Sequence, residues 1–240
     1  MSTLTLEELD VVQSYIDMVV DYLDTIGLEI GVDDDMSNWK ALLESAPATT
    51  GVAKTHDPDF NDLKPENAFW LYFQDKRGRR VACQADRLAL SEDFILDYVG
   101  TYRLFGDRLP TIHCKRLQLE NNLPVLRGRV NFGGGGWVHP DWRGYNLGGL
   151  VSRLGRAFSL RHFLFDYYVT FMVSSRRYGK VCGFQNCQQL MSGFYPGRTS
   201  GAKEITVDAL WCDKDEAIEQ MAYDALHPIT LETTQLAKSA

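Results

Sequence analysis

The 240-residue chain carries a formal charge of −7, and its 45% apolar and 12% aromatic residues are those of a globular protein with a sizeable core. The acidic balance repels phosphate backbones and excludes nucleic acid as the main partner; the most apolar stretch, Phe163 to Ser174, contains Asp166 and is too short to span a bilayer. Cys83, Cys114, Cys182, Cys187 and Cys212 are an odd, scattered set without a CxxC pair or clustered histidines, so no metal site is expected and reduced thiols in a cytoplasm are.

Thr5 and Glu8 have capping-box spacing, and Leu6, Val12, Tyr15, Ile16, Val19, Val20 and Leu23 recur at helical intervals up to Gly27. This first helix is acidic and amphipathic, not a basic segment before an apolar run, so no secretory signal is read. A second helix is expected over residues 37–45. Residues 46–65 are polar and broken by prolines and glycine, which marks a loop. Phe69 to Gln74 and Arg80 to Ala85 form a predicted β-hairpin around a solvated turn holding Arg77 and Arg79. Ser91 is expected to cap a short helix through Tyr98, and residues 123–138 to form a strand interrupted by Gly133 to Gly136. Glycine inside a strand signals a bulge or a close backbone approach. Leu147, Leu150, Val151, Leu154 and Phe158 share one face of a helix over residues 147–161. Residues 163–174 read as a buried central strand, 184–195 and 204–212 as two more, and Asp213 opens a terminal helix to about Leu226.

The fold class is therefore α+β with one mixed sheet. Residues 1–65 are expected to form an N-terminal helical segment packed on a core of residues 66–226, with a loose tail over 227–240. No internal repeat is present.

The chemistry concentrates in Val138-His-Pro-Asp-Trp-Arg-Gly-Tyr-Asn-Leu-Gly-Gly-Leu150, between a strand and an amphipathic helix. A helix N-terminus presents unpaired backbone N–H groups and the positive end of the helix dipole, which together bind a pyrophosphate. Gly144, Gly148 and Gly149 let phosphate approach the backbone, and Arg143 offers a charge-assisted contact. A Rossmann unit would need Gly-x-Gly-x-x-Gly with a following acidic residue, and a P-loop would need Gly-Lys-Ser/Thr; neither is here.

This segment resembles the coenzyme A motif of the GNAT superfamily of N-acetyltransferases, with core Arg/Gln-x-x-Gly-x-Gly/Ala. Arg143 fills its first position and Gly148 its last. Asn146 replaces the middle glycine and is the non-glycine residue that best tolerates left-handed backbone angles. The order hairpin, strand, loop, helix, strand, short helix, strand, strand is also similar to the family's over roughly residues 68–212, although the family's first strand is not found. The resemblance implies a mostly antiparallel sheet flanked by helices, with a V-shaped opening between the strand ending at Val138 and the one beginning at Phe163. It further implies acetyl-CoA or another acyl-CoA as co-substrate, held by Trp137, Val138, Arg143, Gly144, Tyr145, Asn146, Leu147, Gly148 and Gly149.

The implied reaction is direct attack of a primary amine, from a small molecule or a protein, on the thioester, with strand backbone N–H groups polarising the carbonyl. The family's tyrosine acid precedes a Gly-Phe pair by four residues. Here the pair is Gly183-Phe184 and the nearest tyrosine is Tyr178, one position off, whose bland role is packing. His139, Asp141 and Asp166 are base candidates by sequence proximity alone. Trp137 and Trp142 suit either adenine stacking or the core. The alternative class is a non-catalytic GNAT-like module that binds acyl-CoA or a protein partner; a carrier-protein-dependent autoinducer synthase is a third, disfavoured by the absence of a basic docking face. A homodimer is compatible with all three.

Overall fold

The computed structural model describes residues 3–106, 118–121, 123–173, 182–193 and 205–227. Helix α1, Leu6–Thr25, starts on the expected capping box, with the Thr5 hydroxyl accepting from Glu8 N and the Glu8 carboxylate from Thr5 N. It buries Val12, Tyr15, Ile16, Val19 and Leu23 of the expected stripe together with Tyr22, whereas Leu6 and Val20 are exposed. The sheet begins with β1, Leu28–Asp33, which the sequence reading lacked. Leu-Glu-Ile-Gly-Val-Asp does alternate with a period of two, but it is six residues long, contains glycine and is wedged between two helices. Its pairing partners are 37 to 47 residues away in β2, and that contact makes it a strand.

Helix α2, Met36–Ser45, is capped by Asp35 and leads through the loop to the hairpin of β2, Ala68–Asp75, and β3, Arg80–Ser91. Ser91 ends β3 and does not cap an α-helix: its hydroxyl contacts Asp97 at 2.5 Å and accepts from Asp93 N, and a π-helical turn spans Ile95–Gly100. A two-residue strand β4, Gln118–Leu119, precedes β5, Gly128–Val138. Thus residues 123–127 are not strand. Helix α3, Leu147–Phe163, is followed by β6, Tyr167–Val173, β7, Asn186–Gly193, β8, Ile205–Asp213, and α4, Lys214–Leu226. The strand expected from Phe163 starts four residues later, because α3 absorbs Phe163 and Leu164 stops the helix in the left-handed region at φ 52°. Asp213 caps α4 through a second capping box with Glu216.

The eight strands lie in the order β1-β2-β3-β5-β6-β8-β7-β4. Every neighbouring pair is antiparallel except β5 with β6, whose connection runs through α3. Helices α1, α3 and α4 cover one face through a single apolar cluster that includes Leu23, Phe69, Leu154, Leu160, Tyr168 and Leu210. On the other face, a cluster around Phe94, Phe132, Val169 and Val207 lies beneath the π-helical turn. A third, around Trp39, Trp70 and Trp137, lies beneath α2. No helix among the described residues is long and apolar enough to cross a membrane, and they hold no group of three or more metal-ligating side chains.

Candidate functional site

The parallel ladder between β5 and β6 is short. It pairs Val130 with Tyr167, Asn131 with Tyr168, Phe132 with Val169 and Gly133 with Thr170, and ends there. Beyond this vertex β5 stays on β3 while β6 stays on β8, so the two strands diverge. A cavity of about 850 Å³ occupies the divergence. Its walls include Gln84 and Ser152 on the α3 face, and Phe132, Phe171 and the segment Ala48 to Thr55 on the other. It therefore passes through the sheet and opens toward the N-terminus of α3, where Asn146, Leu147 and Gly148 line it.

The glycine run shapes β5 at this point, each residue for its own reason. Ala85 pairs with Gly134 and Cys83 with Trp137, so Gly135 and Gly136 together oppose Gln84: a β-bulge. Gly135 has φ 61°, and a Cβ there would overlap the Trp39 ring; one at Gly134 would lie 2.9 Å from His56 Cε1. Gly133 faces α3, where a Cβ would overlap the Tyr168 hydroxyl. Because that hydroxyl is fixed by two hydrogen bonds in a fully buried site, Gly133→Ala is expected to destabilise the protein by about 1–3 kcal/mol through overpacking. Urea unfolding of parent and variant measures this, and an unchanged midpoint would show that Tyr168 moves freely.

At the other end, the strand and loop lead into the first turn of α3. His139 N donates to Val81 O and closes β5; Pro140–Trp142 forms a 3-10 turn. Gly144 at φ 94° and Asn146 at φ 57° then reverse the chain, so asparagine holds the left-handed angle expected of it. The first intrahelical backbone bond is Leu150 N to Asn146 O, and no side chain caps the helix. The N–H groups of Leu147, Gly148 and Gly149 are left for an external acceptor. Gly148 is exposed, and a Cβ there would meet only Val138 Cγ2 at 3.7 Å, so the position is open on its outer side.

Of the residues expected to contact coenzyme A, Trp137, Val138, Arg143, Gly144, Asn146, Leu147 and Gly148 line the cavity; Tyr145 and Gly149 do not. Tyr145 packs against Trp142, and its carbonyl accepts from the Tyr22 hydroxyl at 3.4 Å. Trp137 is 7% exposed and its indole donates to Pro47 O at 3.0 Å, which makes it a wall of the cavity rather than a platform for adenine. Arg143 is exposed at the rim. Tyr178 lies outside the described residues, in the sequence between the cavity-lining Met172 and Cys182.

The base candidates are engaged elsewhere. Asp166 accepts from Arg129 N at 2.7 Å, at the closed end of the β5 and β6 ladder, on the order of 15 Å along the strand from Gly134. His139 Nδ1 accepts from Asp141 N, and Asp141 approaches Arg79 at 3.6 Å. Neither reaches the vertex.

Two features escaped the sequence reading. The first is the wall of residues 48–55, pinned by contacts with remote partners. His56 donates from Nε2 to Phe132 O at 3.1 Å, stacks on the Phe132 ring, and takes a hydrogen bond from Thr55 Oγ1 at 3.0 Å; Arg87 donates to Thr55 O at 2.7 Å. Burial, reinforced by the Arg87 charge, lowers His56 to a pKa of about 3, so the imidazole is neutral. The second is a polar cluster under α3 at the vertex. Asp86, fully buried, accepts from the Tyr168 hydroxyl at 2.7 Å and from Asn131 Nδ2 at 2.9 Å; Gln84 Nε2 donates to the Tyr168 oxygen at 2.8 Å. Burial raises the Asp86 carboxyl to about 6 despite these hydrogen bonds.

No family model matches the chain, and no curated protein matches it. Solved structures do. An Arabidopsis thaliana NAA60 bound to a bisubstrate analogue is 8% identical with a TM-score of 0.48, over 77% of this chain and 98% of that one. A Drosophila melanogaster polyamine N-acetyltransferase is 12% identical with a TM-score of 0.44, over 77% and 100%. A GNAT-family acetyltransferase from Streptococcus pneumoniae is 9% identical with a TM-score of 0.40, over 77% and 99%.

Proposed function

We propose that the chain is a GNAT-type N-acyltransferase that uses acetyl-CoA or another acyl-CoA to acylate a primary amine. The observation that supports this best is the single cavity running from the uncapped N-terminus of α3 to the vertex where β5 leaves β6. A pyrophosphate suits the N–H groups of Leu147, Gly148 and Gly149, with Arg143 adding charge. From there the divergence offers a slot for the pantetheine arm. The strand edge released at Gly134 and the bulge at Gly135 supplies backbone N–H groups to polarise the thioester carbonyl.

The amine reaches the vertex from the face walled by residues 48–55. Its nitrogen lone pair forms the new C–N bond, the C–S bond breaks, the nitrogen loses a proton to solvent, and the thiolate gains one. We assign that last proton to Tyr178 by its place in the sequence. Direct attack is favoured over a cysteine-bound acyl group by the state of the thiols. Cys182, which lines the cavity, is raised in pKa by burial, and Cys83 and Cys212 are pushed to about 12 and 11, so none is a ready thiolate.

Coenzyme A at a hundredfold excess over its dissociation constant should stabilise the folded state by about 2.7 kcal/mol, raising the melting temperature by roughly 5–10 °C. NAD should have no effect. A melting curve moved by NAD and not by coenzyme A would refute the assignment. Binding without release of free thiol, across a panel of small amines and peptide N-termini, would instead place the chain among non-catalytic acyl-CoA binders.

A further inference from the structure

The polar cluster under α3 has no structural need to exist. Asp86 is buried without a cationic side chain hydrogen-bonded to it among the described residues, an arrangement less stable than an apolar core of the same volume. Two glycines make room for it. A Cβ on Gly133 would overlap the Tyr168 hydroxyl, and one on Gly155 of α3 would lie 2.5 Å from Gln84 Nε2 and 2.8 Å from Asp86 Oδ2. Sheet and helix are thus both cut away around three side chains, of which Gln84 alone lines the cavity.

The chain of hydrogen bonds fixes which way the Gln84 amide faces. The Tyr168 hydroxyl gives its hydrogen to Asp86, so toward Gln84 it can only accept. Asp86 Oδ2, 3.4 Å from Gln84 Nε2, also accepts. The NH₂ end of Gln84 is committed to the cluster, which leaves its carbonyl oxygen for the cavity. An acceptor at that point calls for an N–H on the ligand. It cannot stabilise the oxyanion of a thioester, since that needs a donor.

Position along the slot selects among the N–H groups available. Between the vertex at Gly133 and Val138 beside the phosphate cradle, Gln84 is paired opposite the bulge of Gly135 and Gly136, and its amide reaches back to 2.8 Å from the Tyr168 hydroxyl that lies over Gly133. That stretch of β5 is roughly 15 Å long. A pantetheine arm reaches about as far when extended, placing its sulfur near the vertex and its two amides along the middle. The acceptor amine arrives from the opposite face, walled by residues 48–55, so the group beside the Gln84 amide on the α3 face is the arm, at the amide nearest the sulfur.

We propose that Gln84 is a positioning residue for the donor, its side-chain carbonyl accepting an amide N–H of pantetheine while Tyr168 and Asp86 hold it in that orientation. The proposal rests on the acyl-CoA reading given above. Calorimetry with two probes separates the two: coenzyme A, and adenosine 3′,5′-bisphosphate, which has no arm. Gln84→Met keeps the length of the side chain and removes the amide; it is expected to weaken coenzyme A by about tenfold, the value of one hydrogen bond, and to leave the bisphosphate unchanged. Equal affinity of parent and variant for coenzyme A would overturn the proposal, as would equal loss of both probes. A parent that binds neither would overturn the acyl-CoA reading and this inference with it. Coenzyme A analogues in which either amide N–H is replaced by an ester oxygen test the same contact in the parent alone. One of them should bind about tenfold more weakly, and full affinity in both would dismiss Gln84 whether or not the Met variant folds.

Discussion

Gly148→Val is expected to lower coenzyme A affinity by at least about a hundredfold while the protein still folds. A β-branched side chain on the outer side of the first turn of α3 occupies the space a phosphate needs to reach the N–H groups of Leu147, Gly148 and Gly149. Hydrogen bonds to a charged group contribute about 1.5–3 kcal/mol each, and losing one or two of them gives the stated factor. The fold tolerates the change because a Cβ there meets only Val138 Cγ2, at an ordinary 3.7 Å. Gly148→Ala sharpens the test. Alanine in a helix is better than glycine by roughly 0.5–1 kcal/mol, so this variant should be more stable than the parent and yet bind coenzyme A less well. Isothermal titration beside thermal melts gives both signs, and a variant that binds like the parent would take Gly148 out of the site.

The second large effect is a pair of opposed pH dependences hidden in the parent. Asp86 has a folded pKa of about 6 against an ordinary 3.8, so it takes up a proton more readily when folded. Its burial is destabilising above pH 6, and stability is regained as pH falls from 6 toward 3.8. His56 behaves in the opposite sense: its folded pKa is about 3 against 6.5, so the folded state holds the neutral ring and loses stability as pH falls below 6.5. Between pH 3.8 and 6 the two contributions cancel. Asp86→Asn should therefore unmask acid lability, losing about 1.4 kcal/mol per pH unit relative to the parent on acidification through that window. His56→Gln should gain a similar amount per unit. Denaturant unfolding at pH 4, 5 and 6 reads both slopes, and stability differences from the parent that stay constant with pH would mean that neither group titrates across folding.

Local signals in the sequence survive in the structure with little change. Thr5 and Glu8 start α1, Asp213 starts α4, and the loop from Arg143 to Gly149 needed only the residue identities that place Gly144 and Asn146 at positive φ. Gly133 to Gly136 announced a distorted strand, although not that each glycine answers a different neighbour. What stayed hidden is set by contacts remote in sequence. The wall of residues 48–55 reads as a polar loop, since Phe132 and Trp137, to which His56 and Pro47 are bonded, lie 76 and 90 residues on. A clue to the buried cluster was available in Gln84 and Asp86, two polar residues on one face of the otherwise apolar run Val81 to Asp86, with Asn131 on the neighbouring strand. The short edge strand β1 was lost because its glycine and acidic residues lower its strand propensity.

The short parallel ladder also has a mechanical meaning. The sheet consists of two rigid leaves, β1-β2-β3-β5 and β6-β8-β7-β4, joined edge to edge by only four residue pairs. Apolar packing on both faces, through Tyr168 on one and Phe132 and Val169 on the other, clamps that seam at its closed end. The free ends beyond Gly133 and Thr170 have no ladder to break. A change in their separation pivots about the seam like the jaws of a peg, so the slot between them can widen by a small angular opening with every other strand pairing left intact.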